Sequence, residues 1–567
     1  MSDRTTQEVD YDLESVDLPR LSGLPLRLFV ALLESPLGGL LTPNLLGTLG
    51  LTRFREQEIH EPPTLYPVHG GALQTEQAAV PKTEWPAPPA EAGPGVHFAT
   101  VRDYASAYRE GRTTPEEIAH TALEAIESSD AAEPPLRAFI AVDEQDVLRQ
   151  ARDATRRIEE GQSLSPFDGV PAAVKDQIDM VPYPTTVGTS LLGAAEADQD
   201  AGAVARMRSA GALLLGKNNM HELGTGVTGL NPHHGIPRNP YAPGHYAGGS
   251  SSGSAAAVAA GLCPVAIAVD GGGSIRVPSS FCGLVGLKPT FGRVSTFGVA
   301  PIGWSVIQLG PLATTVTDAA LAYAVLAGPD PHDPHSLHQP APSLVGWDAT
   351  DLTDLTLGVF PAWFRHATSN TVSICDALLS ALERKGAEVQ EIAIPGLEAG
   401  RVAHLITIGA EVAQPLEQTY AQHHGEHGLD TRVNLVLGRE FTAPDYVRAQ
   451  RVRTQMLETF DRALRRVDAV LTPTTGVPAP AIPDAALTDG DFDFSTLVEI
   501  IRFVTPANMT GLPAISFPAG YTDAGLPVGM QAIGRAWEEP TLLRLALAAE
   551  RLVERQPPQI HYDLLTT

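Results

Sequence analysis

The chain has 567 residues, with 39 lysines and arginines against 66 aspartates and glutamates, a formal net charge of −27. A hydrophobic share of 43% with 19% charged residues is enough for a large core and excludes wholesale disorder. The acidic surplus argues against a nucleic-acid partner, which needs a basic footprint, and three cysteines are too few for a disulfide framework.

The N-terminus, MSDRTTQEVDYDLE, is acidic where a secretory signal would be basic and then apolar, so a cytoplasmic location is the default expectation. Residues 1–20 are polar and read as loose. Leu21 to Leu51 is leucine-rich, but Pro25, Pro36, Pro43, Arg27 and Glu34 interrupt it, which argues against a membrane span. Leu37, Leu41, Leu45 and Leu49 recur at i+4 and predict one apolar stripe. That stripe is expected to dock on the protein's own core or on a sister subunit, with an interfacial membrane helix or a lid over a pocket as the alternative. Pro81 to Pro94 is proline-rich and reads as a linker, so residues 1–95 are assigned to a helical or irregular extension and 96–567 to a catalytic domain.

A helix is predicted to start at Thr114-Pro115-Glu116-Glu117, where Thr caps, Pro takes the first helical position and Glu closes a capping box. Short apolar strands then alternate with helices. They are predicted at Val170–Val174, Ala212–Leu215, Val265–Val269, Val389–Ile394, Ala469–Leu471 and Ala514–Phe517. This alternation predicts an α/β layered domain with a buried central sheet, capped by a helix-rich region over about 370–466.

Three motif matches fail on context. Gly211 to Asn218 is one residue from a phosphate-binding P-loop, but its Ala-Leu-Leu-Leu reads as strand and Asn218 replaces the magnesium-binding hydroxyl. His221-Glu222 begins an HExxH, but Thr225 stands where the second histidine is needed, and no metal site is assigned. Gly249 to Gly253 satisfies GxSxG, which would make Ser251 a nucleophile, yet that elbow needs a strand directly before it and NPYAPGHYA is full of turn formers.

What remains is a constellation across about 100 residues. Lys175 follows a buried strand; the loop AGGSSSGS (247–254) runs into an alanine helix; and strand Val265–Val269 ends in Asp270-Gly271-Gly272-Gly273-Ser274-Ile275-Arg276. With these blocks the chain resembles the amidase signature family of serine hydrolases. The resemblance runs from about residue 100 to 550 and includes AGALLLGKNNMHE (210–222), GGGSIRVPSSFCGLVGLKPTFGRVS (271–295), TPANMTGLPAISFPAG (505–520) and GLPVGMQAIGR (525–535).

The resemblance implies a Ser–Ser–Lys triad: Ser274 as nucleophile, Ser250 as the bridging serine after a cis peptide bond, and Lys175 as base. It also implies one large α/β/α domain with a mixed central sheet and chemistry without metal or cofactor. The residue chemistry supports those roles on its own. A serine hydroxyl needs a base, and lysine serves as one near neutrality only if burial, here against Val170 and Val174, depresses its pKa. The run Gly271-Gly272-Gly273 lets backbone N–H groups converge as an oxyanion hole.

Asp270 and Arg276 are read as a structural pair holding the glycine loop and Ser251 as a loop support, with a direct catalytic role as the alternative. Gly224 and Thr225 are read as pocket-lining residues, and Lys217 and Lys288 as structural. Three departures from the family pattern stand out: Ser252 replaces a glycine, Ile307 an aspartate and Asn218 a threonine. The expected activity is hydrolysis of a small-molecule carboxylic amide, with esters, anilides or carbamates as further substrates, no membrane partner, and a homodimer as the candidate assembly. The alternatives are the glutaminase subunit of a tRNA-dependent amidotransferase or a catalytically silent scaffold.

Overall fold

In the computed structural model of the chain the described residues are 11–70, 85, 93–193 and 195–566, the side chains of 488 and 489 excepted. Most of the linker expected over Pro81–Pro94, and residues 1–10, lie outside them. Among the described residues eleven strands form one mixed sheet. In chain order they are β1 (Phe139–Ala141), β2 (Pro171–Lys175), β3 (Leu213–Asn218), β4 (Val265–Asp270), β5 (Val285–Lys288) and β6 (Gln308–Ala313). There follow β7 (Thr356–Val359), β8 (Glu388–Glu391), β9 (Ala469–Pro473), β10 (Ala514–Tyr521) and β11 (Pro527–Gly534). Their order across the sheet is β8-β7-β9-β11-β10-β5-β6-β4-β2-β3-β1. Strands β3, β2 and β4 run parallel, whereas the centre, from β4 through β6, β5, β10 and β11 to β9, is antiparallel.

All six predicted strands exist, and the near-continuous apolar runs of β2, β3 and β4 are buried on every residue, as a sheet covered on both faces requires. The predicted helix start is also present: Thr114 caps Pro115–Ala131 and both halves of the capping box are formed. Segment 370–466 contains the long helices Ser369–Arg384, Leu397–Ala413, Leu429–Arg439 and Ala443–Leu464.

The N-terminal segment is built of helices α1 (Gly23–Leu33), α2 (Gly38–Thr48) and α3 (Leu51–Glu56). Their Leu26, Val30, Leu33, Leu46, Leu49 and Phe54 share one core cluster with Val402, Ile406 and Val452 of the 370–466 region, so the stripe docks on the protein itself. Arg55 pairs with Asp445 at 2.7 Å, and Glu34 binds Arg432 through both carboxylate oxygens. The predicted stripe is displaced, however. Leu49 is buried, Leu41 and Leu45 are half-buried, and Leu37 is 57% exposed; α2 instead buries Gly38, Thr42 and Leu46. Leu24, Leu28, Leu32, Leu37 and Leu40 are exposed on these helices. Among the described residues no single helix is long and apolar enough to cross a membrane; α1 and α2 together reach that length and composition across a 111° bend.

Candidate active site

Three segments converge at the C-terminal ends of β2 and β4. Lys175 is the last residue of β2; Ser250 lies in the loop entering helix Ser252–Ala259; and Ser274 stands just beyond the glycine turn that follows β4. Adjacent parallel pairing of β2 and β4 brings Lys175 beside Val269, and its Nζ donates to the Val269 carbonyl at 3.2 Å and to Ser250 Oγ at 2.8 Å. The Gly249–Ser250 peptide bond is cis.

Lys175 has no exposed surface. Burial disfavours the ammonium and outweighs the attraction of Asp270, bringing its pKa down to about 7. The amine is thus available in its neutral form near neutrality, and in that form the same contact can reverse, with Ser250 donating to the nitrogen lone pair. Ser274 is 6% exposed, and its hydroxyl makes no hydrogen bond to Ser250 or to any other described residue. The structure therefore joins Lys175 to Ser250 and leaves the hydroxyl of Ser274 free to turn toward an incoming carbonyl.

The glycine turn differs from expectation in one respect. The N–H of Gly273 donates to Asp270 Oδ1 at 2.7 Å, so it is not open to a ligand; the N–H groups of Gly271, Gly272 and Ser274 have no protein acceptor among the described residues. Gly273 has φ +107°, and a β-carbon there would lie 2.5 Å from Val504 Cγ2, which accounts for a glycine in this position. Asp270 also accepts from the N–H of Ile275 and from Arg276 Nε at 3.0 Å and Nη2 at 2.9 Å. Burial would raise its pKa, but Arg276, the Asn508 amide donating to Oδ1 at 2.9 Å and, further off, Lys288 hold the carboxyl well below the usual range. Arg276 spends its remaining donors on the Val504 carbonyl, Gln531 and Asn508. Asp270 and Arg276 form a fully buried ion pair beneath the glycine turn, and Asn508 and Gln531 hydrogen-bond to it.

Ser251 stands at the N-cap position of the alanine helix without a side-chain capping bond, and its hydroxyl donates instead to the Val269 carbonyl at 3.4 Å. The segment before it does include a strand, Ala242–Tyr246, but this pairs with Arg238–Asn239 in a separate hairpin and is not part of the central sheet. A β-carbon on Gly224 would lie 3.6 Å from Ser250 Oγ, so Gly224 borders the serine, whereas the Thr225 hydroxyl is turned to the Glu222 carbonyl and Thr431. Lys217 bonds the Ile178 carbonyl and pairs with Asp176, and Lys288 bonds the Leu512 carbonyl; both hold strand ends. Ile307 packs its γ-carbon over Gly271, and Ser252 buries a hydroxyl that has no hydrogen-bond partner among the described residues.

His404 is a residue that sequence reasoning missed. It lies on helix Leu397–Ala413, and its Nε2–H donates to the Gly271 carbonyl at 2.8 Å; burial lowers its pKa to about 4, so it is a neutral imidazole. A lone histidine on a helix some 130 residues away carries no local signal. The histidines near 221 are packed: His233 and His427 both engage Glu222 Oε1, at 3.1 and 2.7 Å. Among the described residues no cluster of ligating side chains suits a metal ion.

A sequence model of the Amidase family matches residues 120–543. The fatty acid amide hydrolase of Arabidopsis thaliana is 39% identical in an alignment covering 99% of this chain and 97% of that protein, N-terminal segment included. One component of the glutamyl-tRNA(Gln) amidotransferase of Chloroflexus aggregans is 34% identical over 81% of this chain and 97% of its own length. Among solved structures, the peptide amidase of Stenotrophomonas maltophilia superposes with a TM-score of 0.69 at 31% identity, over 81% of this chain and 98% of that one. The chain belongs to the amidase signature family and is an amidase, acting on carbon–nitrogen bonds other than peptide bonds.

Proposed function

We propose that the chain hydrolyses fatty acid amides through an acyl-enzyme on Ser274. The observation that carries the mechanism is the buried contact of Lys175 with Ser250 beside the glycine turn that presents Ser274. The Ser274 hydroxyl adds to the amide carbon; its proton passes to Ser250 Oγ, and the proton of Ser250 passes to the neutral amine of Lys175. The oxyanion is received by the N–H groups of Gly271, Gly272 and Ser274. On collapse the proton returns from Lys175 through Ser250 to the leaving nitrogen, and the C–N bond breaks. Water, deprotonated along the same route, then cleaves the ester to release the acid.

The fatty acyl preference rests on the near full-length similarity to the plant enzyme. A small crevice beside Gly226, which backs onto Gly249, is bordered by Leu230, Phe492, Phe494 and Leu497 and also by Arg20, Asp491 and Asp493. The test is a series of primary amides from two to eighteen carbons. A kcat/KM that rises at least tenfold toward the long chains is expected, and a preference for the shortest amides would overturn the substrate assignment. Glutamine hydrolysis that appears only with added partner proteins would replace it with the glutaminase reading.

A further inference from the structure

A second cavity, of about 1010 Å³, opens between α1, the loop 230–238 and the segment 425–432, and no member of the Lys175, Ser250, Ser274 set lines it. In a chain with 27 surplus acids its wall is mainly basic: Arg137, Arg238, Arg432, His233, His234 and His427 all border it. Two carboxylates, Glu133 and Asp430, border it as well, and Asp430 is paired with His221 at 3.0 Å. Here Arg432 is matched by Glu34 and His427 by Glu222 on its Nδ1 side. Arg137 and Arg238 are different. Among the described residues neither forms an ion pair with a carboxylate; the two lie close enough for their charges to repel, an effect larger than the attraction of Glu133 for Arg238.

Arg238 is only 8% exposed, and its Nε makes no hydrogen bond; its one side-chain contact is a long bond from Nη1 to the Pro243 carbonyl at 3.5 Å. His427, 4% exposed, likewise has a buried Nε2 without a partner, as does His234. The Arg137 guanidinium lies over Gly235, where any β-carbon would collide with Nη1, so a glycine in the wall makes room for it. Buried nitrogens without acceptors are uncommon in folded proteins. Here Arg238 Nε and the Nε2 atoms of His234 and His427 gather at one cavity, with the Arg137 guanidinium beside them.

We propose that this cavity binds a phosphate-class oxyanion, held by Arg238 and Arg137. Guanidinium forks match the tetrahedral oxygens of phosphate with paired N–H donors. The anion supplies the charge and the acceptors that the wall lacks. The group is either free, as inorganic phosphate or a soluble phosphate monoester, or the head group of a lipid.

Calorimetric titration of the full-length protein at low ionic strength tests this with inorganic phosphate, glycerol 3-phosphate and vesicles containing phosphatidic acid. Saturable binding with one site per chain is expected for at least one probe, weakened tenfold or more in both Arg238→Gln and Arg137→Gln. Arg137 is half-exposed, so its variant decides the outcome if the Arg238 variant does not fold by circular dichroism. Binding of the soluble probes identifies a free ligand, and arginine-dependent binding of vesicles alone identifies a head group. No binding by any probe, or binding undiminished in the Arg137 variant, overturns the proposal.

Discussion

Replacing Lys175 with methionine tests the depressed pKa that the mechanism requires. Lysine in the unfolded chain titrates at 10.5 and in the folded protein at about 7, because the ammonium has been taken wholly out of water. That difference of about 3.5 units, at about 1.36 kcal/mol each, makes burial of the protonated side chain cost roughly 5 kcal/mol. The sign follows from proton counts. Between pH 7 and 10.5 the unfolded lysine binds a proton that the folded one has released, so wild-type stability rises with pH there, by about 1.4 kcal/mol per unit from this residue. Below pH 7 both states are protonated and the penalty is constant. Lys175→Met removes the titration and keeps an apolar chain of similar length. Urea denaturation of both proteins at pH 6.5, 7.5, 8.5 and 9.5 is therefore expected to give curves that converge. The variant should be the more stable near pH 7, and its advantage should shrink by about 3 kcal/mol between pH 7.5 and 9.5. The variant should also lose turnover, while wild-type kcat/KM should climb with pH through about 7 as the amine becomes neutral. Parallel stability curves, or substantial turnover in Lys175→Met, would refute the reasoning.

Three further substitutions probe the surroundings. Gly273→Ala would force a β-carbon against Val504 at a left-handed φ, and should lower kcat on the order of 10²-fold or more in steady-state assays. His404→Ala frees the Gly271 carbonyl and should lower kcat about 10- to 100-fold with KM nearly unchanged, with His404→Gln recovering part of the loss. Ser252→Ala removes a buried hydroxyl that has no hydrogen-bond partner among the described residues and should raise unfolding stability by about 1 kcal/mol, read as a higher Tm with unaltered activity.

The sequence carried the chemistry further than the architecture. Lys175, Ser250 and Ser274 sit in contiguous blocks where residue type and local order are both informative. The parallel strands β2, β3 and β4 were legible because continuous apolar runs mark strands covered on both faces. Five strands went unseen: β1, β5, β6, β7 and β11. In β6 the run contains Gly310-Pro311, which reads as a turn, yet a β-carbon at Gly310 would collide with the Leu287 carbonyl, so the glycine is there to admit the neighbouring strand. The spent N–H of Gly273 was invisible because three successive glycines look equivalent until Asp270 selects one of them. His404 and Asn508 reach the site only through tertiary packing, and no spacing rule links them to residues 270–276. On α2 the i+4 count finds Leu41, Leu45 and Leu49, which pack on the core, but the most buried row, Gly38, Thr42 and Leu46, lies one residue on and includes a glycine and a threonine that hydropathy does not mark.

The most direct test of the central claim is to find which oxygen becomes acylated. A fluorophosphonate probe incubated with the purified chain, followed by intact mass and peptide mapping, should place a single adduct on Ser274. The adduct should vanish in Ser274→Ala and persist in Ser251→Ala. An adduct on Ser251, or labelling that survives in Ser274→Ala, would contradict the account.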